Sequence, residues 1–297
     1  MDWRKPWIGV GWLLCALAQG QAHEDPHGEV HPFIMVSSEN FIVTSQSCKE
    51  NSRSGGGPFS RYCWYRVIYS AEGKVVVPRH EIELGSLYPH PIAPSKSSRD
   101  LSVHTTPGPG PSRFVLNEKL SSGKTREKNL PLDPQEGAAR CASTIAGPWV
   151  GFTWTRPVND PANPNSPFMD LYLSHVAREG PSPGQSVRLG RPTTIDDRPA
   201  ASSPVWAGGR WWVAWVRPTT DGSVTQDLSQ AWKTVLSSYD PARQKLEHKE
   251  LPALSHWNTT VDLKTTAGWL CASWHASQDG TYPGSAKIVT VFEKVPE

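Results

Sequence analysis

Ala207-Gly-Gly-Arg-Trp-Trp-Val-Ala-Trp215 is the stretch on which the fold turns. The same chain carries two more versions of it, Ala146-Gly-Pro-Trp-Val-Gly-Phe-Thr-Trp154 upstream and Ala267-Gly-Trp-Leu-Cys-Ala-Ser-Trp274 downstream. In each, a turn glycine precedes a short run rich in β-branched and aromatic residues. That combination reads as a hairpin feeding a strand. The closing tryptophans fall about 60 residues apart, the interval of an array whose units bury a face against the next. Trp154, Trp215 and Trp274 hold equivalent positions, which assigns their indoles to packing between units, where a large ring fills the wedge between twisted sheets.

Working outward, the same order of elements follows each copy. After Trp154 a polar loop (156–167) leads to the alternating run 168–176, a turn with Gly180 and Gly184, and the short strand 186–189. After Trp215 come a loop (217–230), a strand (232–237), a turn (239–242) and a strand (245–251). After Trp274 come a loop with Gly280 and Gly284 and a strand (286–292). Upstream, 32–44 reads as strand, turn, strand, with further strands at 64–70 and 74–77 and a degenerate copy over 91–135. Four antiparallel strands in about 45 to 60 residues describe a β-propeller blade. The reading is therefore an all-β propeller of five four-stranded blades, at 31–90, 91–138, 139–197, 198–254 and 255–297, forming a single domain over 31–297. The last copy lacks a fourth strand. The segment before blade one, Gly28-Glu-Val-His31, is expected to supply it and close the ring, which removes the free edge. A β-sandwich of similar strands is the alternative.

Three segments, Ser238-Tyr-Asp240, Ser70-Ala-Glu-Gly73 and Ser277-Gln-Asp-Gly280, carry a serine at the end of a strand followed by an acidic or glycine turn. With the aromatic strand ahead of them, the layout resembles the BNR/Asp-box repeats of sialidase-like propellers. The resemblance implies the repeat architecture. Sialidases also imply an arginine triad, a Tyr–Glu nucleophile pair and a further acidic residue, and no residues here are assigned to that set.

Composition narrows the function class. Thirty basic residues against 28 acidic ones leave a net charge of +2, too balanced to support nucleic-acid binding. The N-terminus reads as a secretory signal over 1–22. Arg4 and Lys5 precede an apolar core, Ile8 to Ala18, too short to span a bilayer, and small residues at Gly20 and Ala22 favour cleavage after Ala22. The mature protein is expected to be periplasmic or secreted, without membrane insertion. Four cysteines then remain, and an even number in an exported chain suggests two disulfides, Cys48–Cys63 across a glycine-rich loop and Cys141–Cys271. Two buried free thiols are the alternative for the second pair.

The loops are asymmetric. The turns joining first to second and third to fourth strands are short, whereas those joining second to third strands are long: 49–61, 156–167, 217–230 and 275–284. Long loops on one face of a rigid ring are where binding is built. The segments crossing between blades open on that face and bring Asp196, Asp197 and Arg198, His256 and Trp257, and Glu136. Trp206 and Trp232 fall outside the tryptophan motif and are expected to make exposed contacts. These residues define the candidate ligand site. The main reading is an exported, non-catalytic propeller, without a cofactor, that binds a protein partner, a larger assembly or an extracellular glycan through its long-loop face. A propeller-type glycoside hydrolase is the alternative, pairing Asp196 or Asp197 with Asp262 or Glu136 as acid and base, although the two aspartates equally suit an Asx turn. A third reading is copper or zinc binding by His23, His27 and His31 in the leader 23–30 and at the start of blade one, helped by a free amine on His23.

Overall fold

The computed structural model describes residues 22–25, 30–49, 61–82, 101–106, 111–119, 122–133, 135, 138–158, 168–180, 182–192, 194–195, 198–199, 201–218, 232–255, 261–277 and 286–296. The first strand, β1 (Ala22–Asp25), is set apart from its neighbours in sequence. Blade one follows as β2 (Val30–Ser37), β3 (Asn40–Lys49), β4 (Arg61–Ser70) and β5 (Val75–Ile82). Blade two has three described strands, β6 (Leu101–Thr105), β7 (Phe114–Lys119) and β8 (Thr125–Asn129). Blade three is β9 (Ala139–Ala146), β10 (Trp149–Val158), β11 (Phe168–Ala177) and β12 (Gln185–Gly190). A short ribbon, β13 (Thr194–Ile195) with β14 (Arg198–Pro199), leads to blade four: β15 (Val205–Ala207), β16 (Arg210–Pro218), β17 (Trp232–Asp240) and β18 (Lys245–Ser255). Blade five is β19 (Val261–Thr266), β20 (Trp269–Ser277), β21 (Ala286–Lys294) and, outermost, β1. The fold is an all-β, five-bladed propeller, and all the described strand pairs are antiparallel.

An N-terminal strand closes the ring as expected, but it is a different one. Ala22–Asp25 pairs with β21, with His23 opposite Thr290. Val30 and His31 instead open β2, the first strand of blade one. The expected closing segment, 28–31, is therefore corrected to 22–25. The run Val30–Ser37 alternates well enough to pair with β3 over most of its length, and that pairing claims it for blade one.

Strand β16 shows why a near-continuous apolar sequence is required. Its residues are buried on both faces because a blade lies on either side. Trp211, Val213 and Trp215 pack with Leu171, Leu173 and Leu189 of blade three. The alternate residues Trp212, Ala214 and Val216 pack with Val261, Leu263 and Leu270 of blade five. A period of two thus feeds two interfaces from one strand. The repeat tryptophans follow one rule, each lying against the preceding blade. Trp154 packs on Phe114 and Leu116 of blade two, Trp215 on blade three, and Trp274 in the cluster shared with blade four. Each is at most 3% exposed. Burying an indole of roughly 150–250 Å² at ~25 cal/mol/Å² contributes about 4–6 kcal/mol, so these rings dominate cohesion between blades.

Ring closure has its own core. Ile34, Phe41, Val43 and Tyr69 of blade one pack on Cys271 and Phe292 of blade five. Cys271 is a free, fully buried thiol there, and burial pushes its pKa well up. It faces blade one while Cys141 lies on β9 of blade three, so the expected Cys141–Cys271 disulfide is not formed. In the first blade Cys63 stands opposite Ser47 and Cys48 opposite Tyr62, an offset of one residue between the two cysteines.

Candidate functional site

The topology gives the ring two unlike rims. Strand β10 runs from a tight hairpin after Ala146 toward the long loop beyond Val158, and β11 returns. The hairpins and the turns between third and fourth strands therefore gather on one face. The central parts of the four long loops, on the other face, lie outside the described residues.

On the short-turn face, a cleft of about 420 Å³ opens between blades three and four. Trp149 at the start of β10 and Trp206 on β15 form its aromatic walls, with His175 near the end of β11 between them. Ser182 and Gln185 come from the turn of blade three, and Pro241 from the turn of blade four. The His175 ring sits 4.3 Å from Trp149 and 6.1 Å from Trp206, at 34° and 14° to their planes.

One missing side chain organises this cleft. On β10 and β11, Trp149, Gly151, Leu171, Leu173 and His175 share the face turned to blade four, and Gly151 is paired in register with His175. Because residue 151 has no Cβ, the Trp211 ring lies flat where one would be; an added Cβ would come within 2.4 Å of its Cζ3. So placed, the Trp211 indole N–H donates to His175 Nδ1 at 2.7 Å. Trp206, paired with Trp211 across the hairpin, meets it edge-on at 5.0 Å. The hydrogen bond makes Nδ1 the acceptor and leaves the proton on Nε2. Burial lowers the His175 pKa and so favours that neutral form. His175 is 8% exposed and lines the cleft. Nearby, the Tyr239 hydroxyl donates to Gln185 Oε1 at 2.9 Å, tying blade four to blade three.

The residues proposed from sequence are dispersed. Trp206 is in the cleft and half-buried, although on the face opposite to the long loops. Trp232 is corrected: it is 5% exposed in the core between blades four and five, and its indole N–H has no partner among the described residues. Arg198 is on β14, paired with Ile195. Asp196, Asp197, His256, Trp257, Glu136 and His27 lie outside the described residues. His23 is on β1 and His31 on β2, in different blades. No group of three metal-ligating side chains occurs among the described residues.

Asp262 does structural work. Its Oδ2 accepts the Ile34 N–H at 2.7 Å, and its Oδ1 accepts the Leu263 N–H at 2.9 Å and Lys264 Nζ at 2.8 Å. It latches blade five to blade one. Other carboxylates toward the long-loop rim are also engaged. Buried Asp170 takes both nitrogens of Arg188, at 2.6 and 2.9 Å. Glu250 is shared by Arg217 and Lys233, each at 2.6 Å.

Two of the Asp-box-like segments fall where that box belongs, in the turn between third and fourth strands. Asp240 Oδ1 accepts the N–H groups of Ala242 and Arg243 at 3.0 and 3.1 Å. Ser70 Oγ accepts the Lys74 N–H at 3.1 Å. Sequence reasoning did not find Trp149, His175 or Gln185 as a site. The available signal was His175 on an otherwise apolar, alternating strand whose paired residue is a glycine.

No family model matches the chain, and no curated protein matches it either. Several solved structures are similar to it. A phage phi92 endosialidase is 10% identical with a TM-score of 0.46, over 94% of this chain and 52% of that one. A thermostable family-43 glycoside hydrolase is 9% identical with a TM-score of 0.38, over 94% and 95% of the two chains. The GH43_1 enzyme from Xanthomonas citri is 10% identical with a TM-score of 0.37, over 93% and 90%. The chain spans about half the length of the endosialidase.

Proposed function

We propose that this chain works outside the cytoplasm as a binding propeller without catalysis, and that its ligand sits in the cleft between blades three and four. The observation that carries the reading is an aromatic-walled hollow whose lining includes the His175 imidazole, with its remaining donor at Nε2–H, and no carboxylate. Concave aromatic sites with a few placed polar groups are how proteins hold small ligands. A general acid–base site needs a group that exchanges protons near working pH. His175 does not suit that task, since one nitrogen is engaged by Trp211 and burial favours the neutral ring. Its partner remains of the kinds expected from the sequence, an extracellular glycan or a protein.

Hydrolysis of a glycosidic bond is the second reading. It is the activity for which the family-43 glycoside hydrolase is named. In this chain it requires two carboxylates about 5 to 10 Å apart. With Asp262 committed to the blade latch, that role falls to Asp196, Asp197 or Glu136 in the crossing segments.

One experiment separates the readings. The purified exported protein is incubated with oligosaccharides while binding and reducing-end release are both followed. Binding that Trp149→Ala weakens, without release of reducing ends, supports the binding reading. Release of reducing ends that Asp196→Asn or Asp197→Asn abolishes would replace it with hydrolysis.

A further inference from the structure

We infer that the cleft takes an uncharged pyranose of a neutral glycan chain, stacked on Trp149 and Trp206 and hydrogen-bonded by His175 Nε2–H. This rests on the reading of the cleft as the ligand site. Charge is the first argument. None of the side chains lining the cleft is charged. A sialylated, sulfated or phosphorylated ligand would meet no cation there, and an ammonium group no carboxylate. The anion would lose hydration without compensation, and a cation would keep only its attraction to the indole faces.

The second argument is the pattern of hydrogen-bonding groups. Trp211 occupies Nδ1, so the imidazole offers the cleft a donor only. Tyr239 occupies Gln185 Oε1, so the group left to that side chain is its NH₂. Ser182 adds a hydroxyl. The groups left free in the lining are mainly donors, so the site suits a ligand that brings acceptors. The rest of the lining is apolar, with two indoles beside Pro183, Gly209, Pro241 and Ala242. A pyranose combines these two properties: its C–H face is apolar and lies on an indole, and its hydroxyl edge accepts hydrogen bonds. A proline-rich peptide also stacks on indoles, but its PPII helix repeats every three residues and needs successive aromatic grooves. Here the two indoles bracket one imidazole in a single hollow. The volume, about 420 Å³, is in the range of small-ligand sites.

The test is titration calorimetry on the full exported protein with cellohexaose, maltohexaose and mannohexaose as neutral probes. Sialyllactose serves as the acidic probe and decaproline as the peptide. At least one neutral hexasaccharide should bind. Trp206→Ala should weaken it ten-fold or more, and Trp206→Phe, which keeps a ring, should stay within about three-fold of wild type. Unchanged denaturation midpoints establish that both variants are folded. If decaproline or sialyllactose binds with the same Trp206 dependence and the neutral sugars do not, the ligand class is wrong and the cleft remains the site. If none of the neutral sugars binds, the inference falls. If any probe binds with no change in Trp149→Ala or Trp206→Ala, the cleft reading falls with it.

Discussion

Gly151→Ala puts one methyl group where the Trp211 ring now lies. The new carbon would sit 2.4, 2.5 and 2.6 Å from Cζ3, Cε3 and Cη2 of that indole, whereas carbon atoms in contact prefer about 3.5–4.0 Å. The ring must therefore retreat by about 1 Å. It has no room, since Trp211 is fully buried against blade three. Overpacking of this kind costs about 1–3 kcal/mol. Movement of the indole also breaks its bond to His175, worth about 0.5–1.5 kcal/mol. Gly151 does not have a positive φ, so alanine adds no backbone strain and returns roughly 0.5–1 kcal/mol of chain entropy. The net expectation is a loss of about 2 kcal/mol, or roughly 3–4 °C in Tm for a domain of this size. Denaturation monitored by tryptophan fluorescence measures it. The decisive comparison is a double-mutant cycle with Trp211→Phe, which removes the ring atoms in conflict. The Gly151→Ala penalty should shrink by at least 1 kcal/mol in that background. An equal penalty in both backgrounds, or none in the wild type, would refute the reasoning.

Three further outcomes follow from the same contacts. The pKa values of His175 and His248 are both held down by burial, the latter with help from the Arg217 charge. Such groups contribute stability fully above the unfolded value near 6.5 and lose it as pH falls through the folded value; the Tm should drop between pH 7 and pH 5, and His175→Gln with His248→Gln should flatten that slope. Asp262→Ala leaves the Ile34 N–H without its acceptor at the ring closure and should cost about 1–3 kcal/mol in denaturant unfolding while leaving ligand affinity unchanged. Trp154 and Trp215 donate to Ser174 and Ser237, at 2.9 and 2.7 Å, but the matching residue in blade five is Val291 and the Trp274 N–H has no partner among the described residues. Val291→Thr should supply the missing hydroxyl and raise stability by about 1 kcal/mol, and a lower Tm would mean the repeat equivalence does not extend to that hydrogen bond.

The propeller was legible because its signal is redundant. Two-residue hairpins ahead of Trp149, Arg210 and Trp269 recur with the same following strand, and three copies outweigh the erosion of blade two. Closure was legible in kind and missed in place. Gly28–His31 and Ala22–Asp25 are both short and polar, and pairing with β21 depends on the geometry of the finished ring. The site was harder. Trp232 looks like an exposed ring because it follows a polar loop, yet the start of β17 is covered by blade five. The cleft joins residues from 149 to 242 through two hairpins and two turns of neighbouring blades. Which side chains share an interface depends on the rotation between sheets, and a repeat read along the chain does not encode it. Cys271 illustrates the same point: an even cysteine count suggests pairing, but its strand faces blade one, and burial in an apolar interface accounts for the residue without a partner.

Hydrogen exchange of the backbone amides, with and without a bound neutral hexasaccharide, is the most direct measurement of where this protein holds its ligand. Slowed exchange is expected at Trp149, His175, 182–185, 206–209 and Ala242, the two hairpins and two turns that frame the cleft. Protection confined to the long-loop rim around 156–167, 217–230 and 275–284, with those four segments unchanged, would contradict the account.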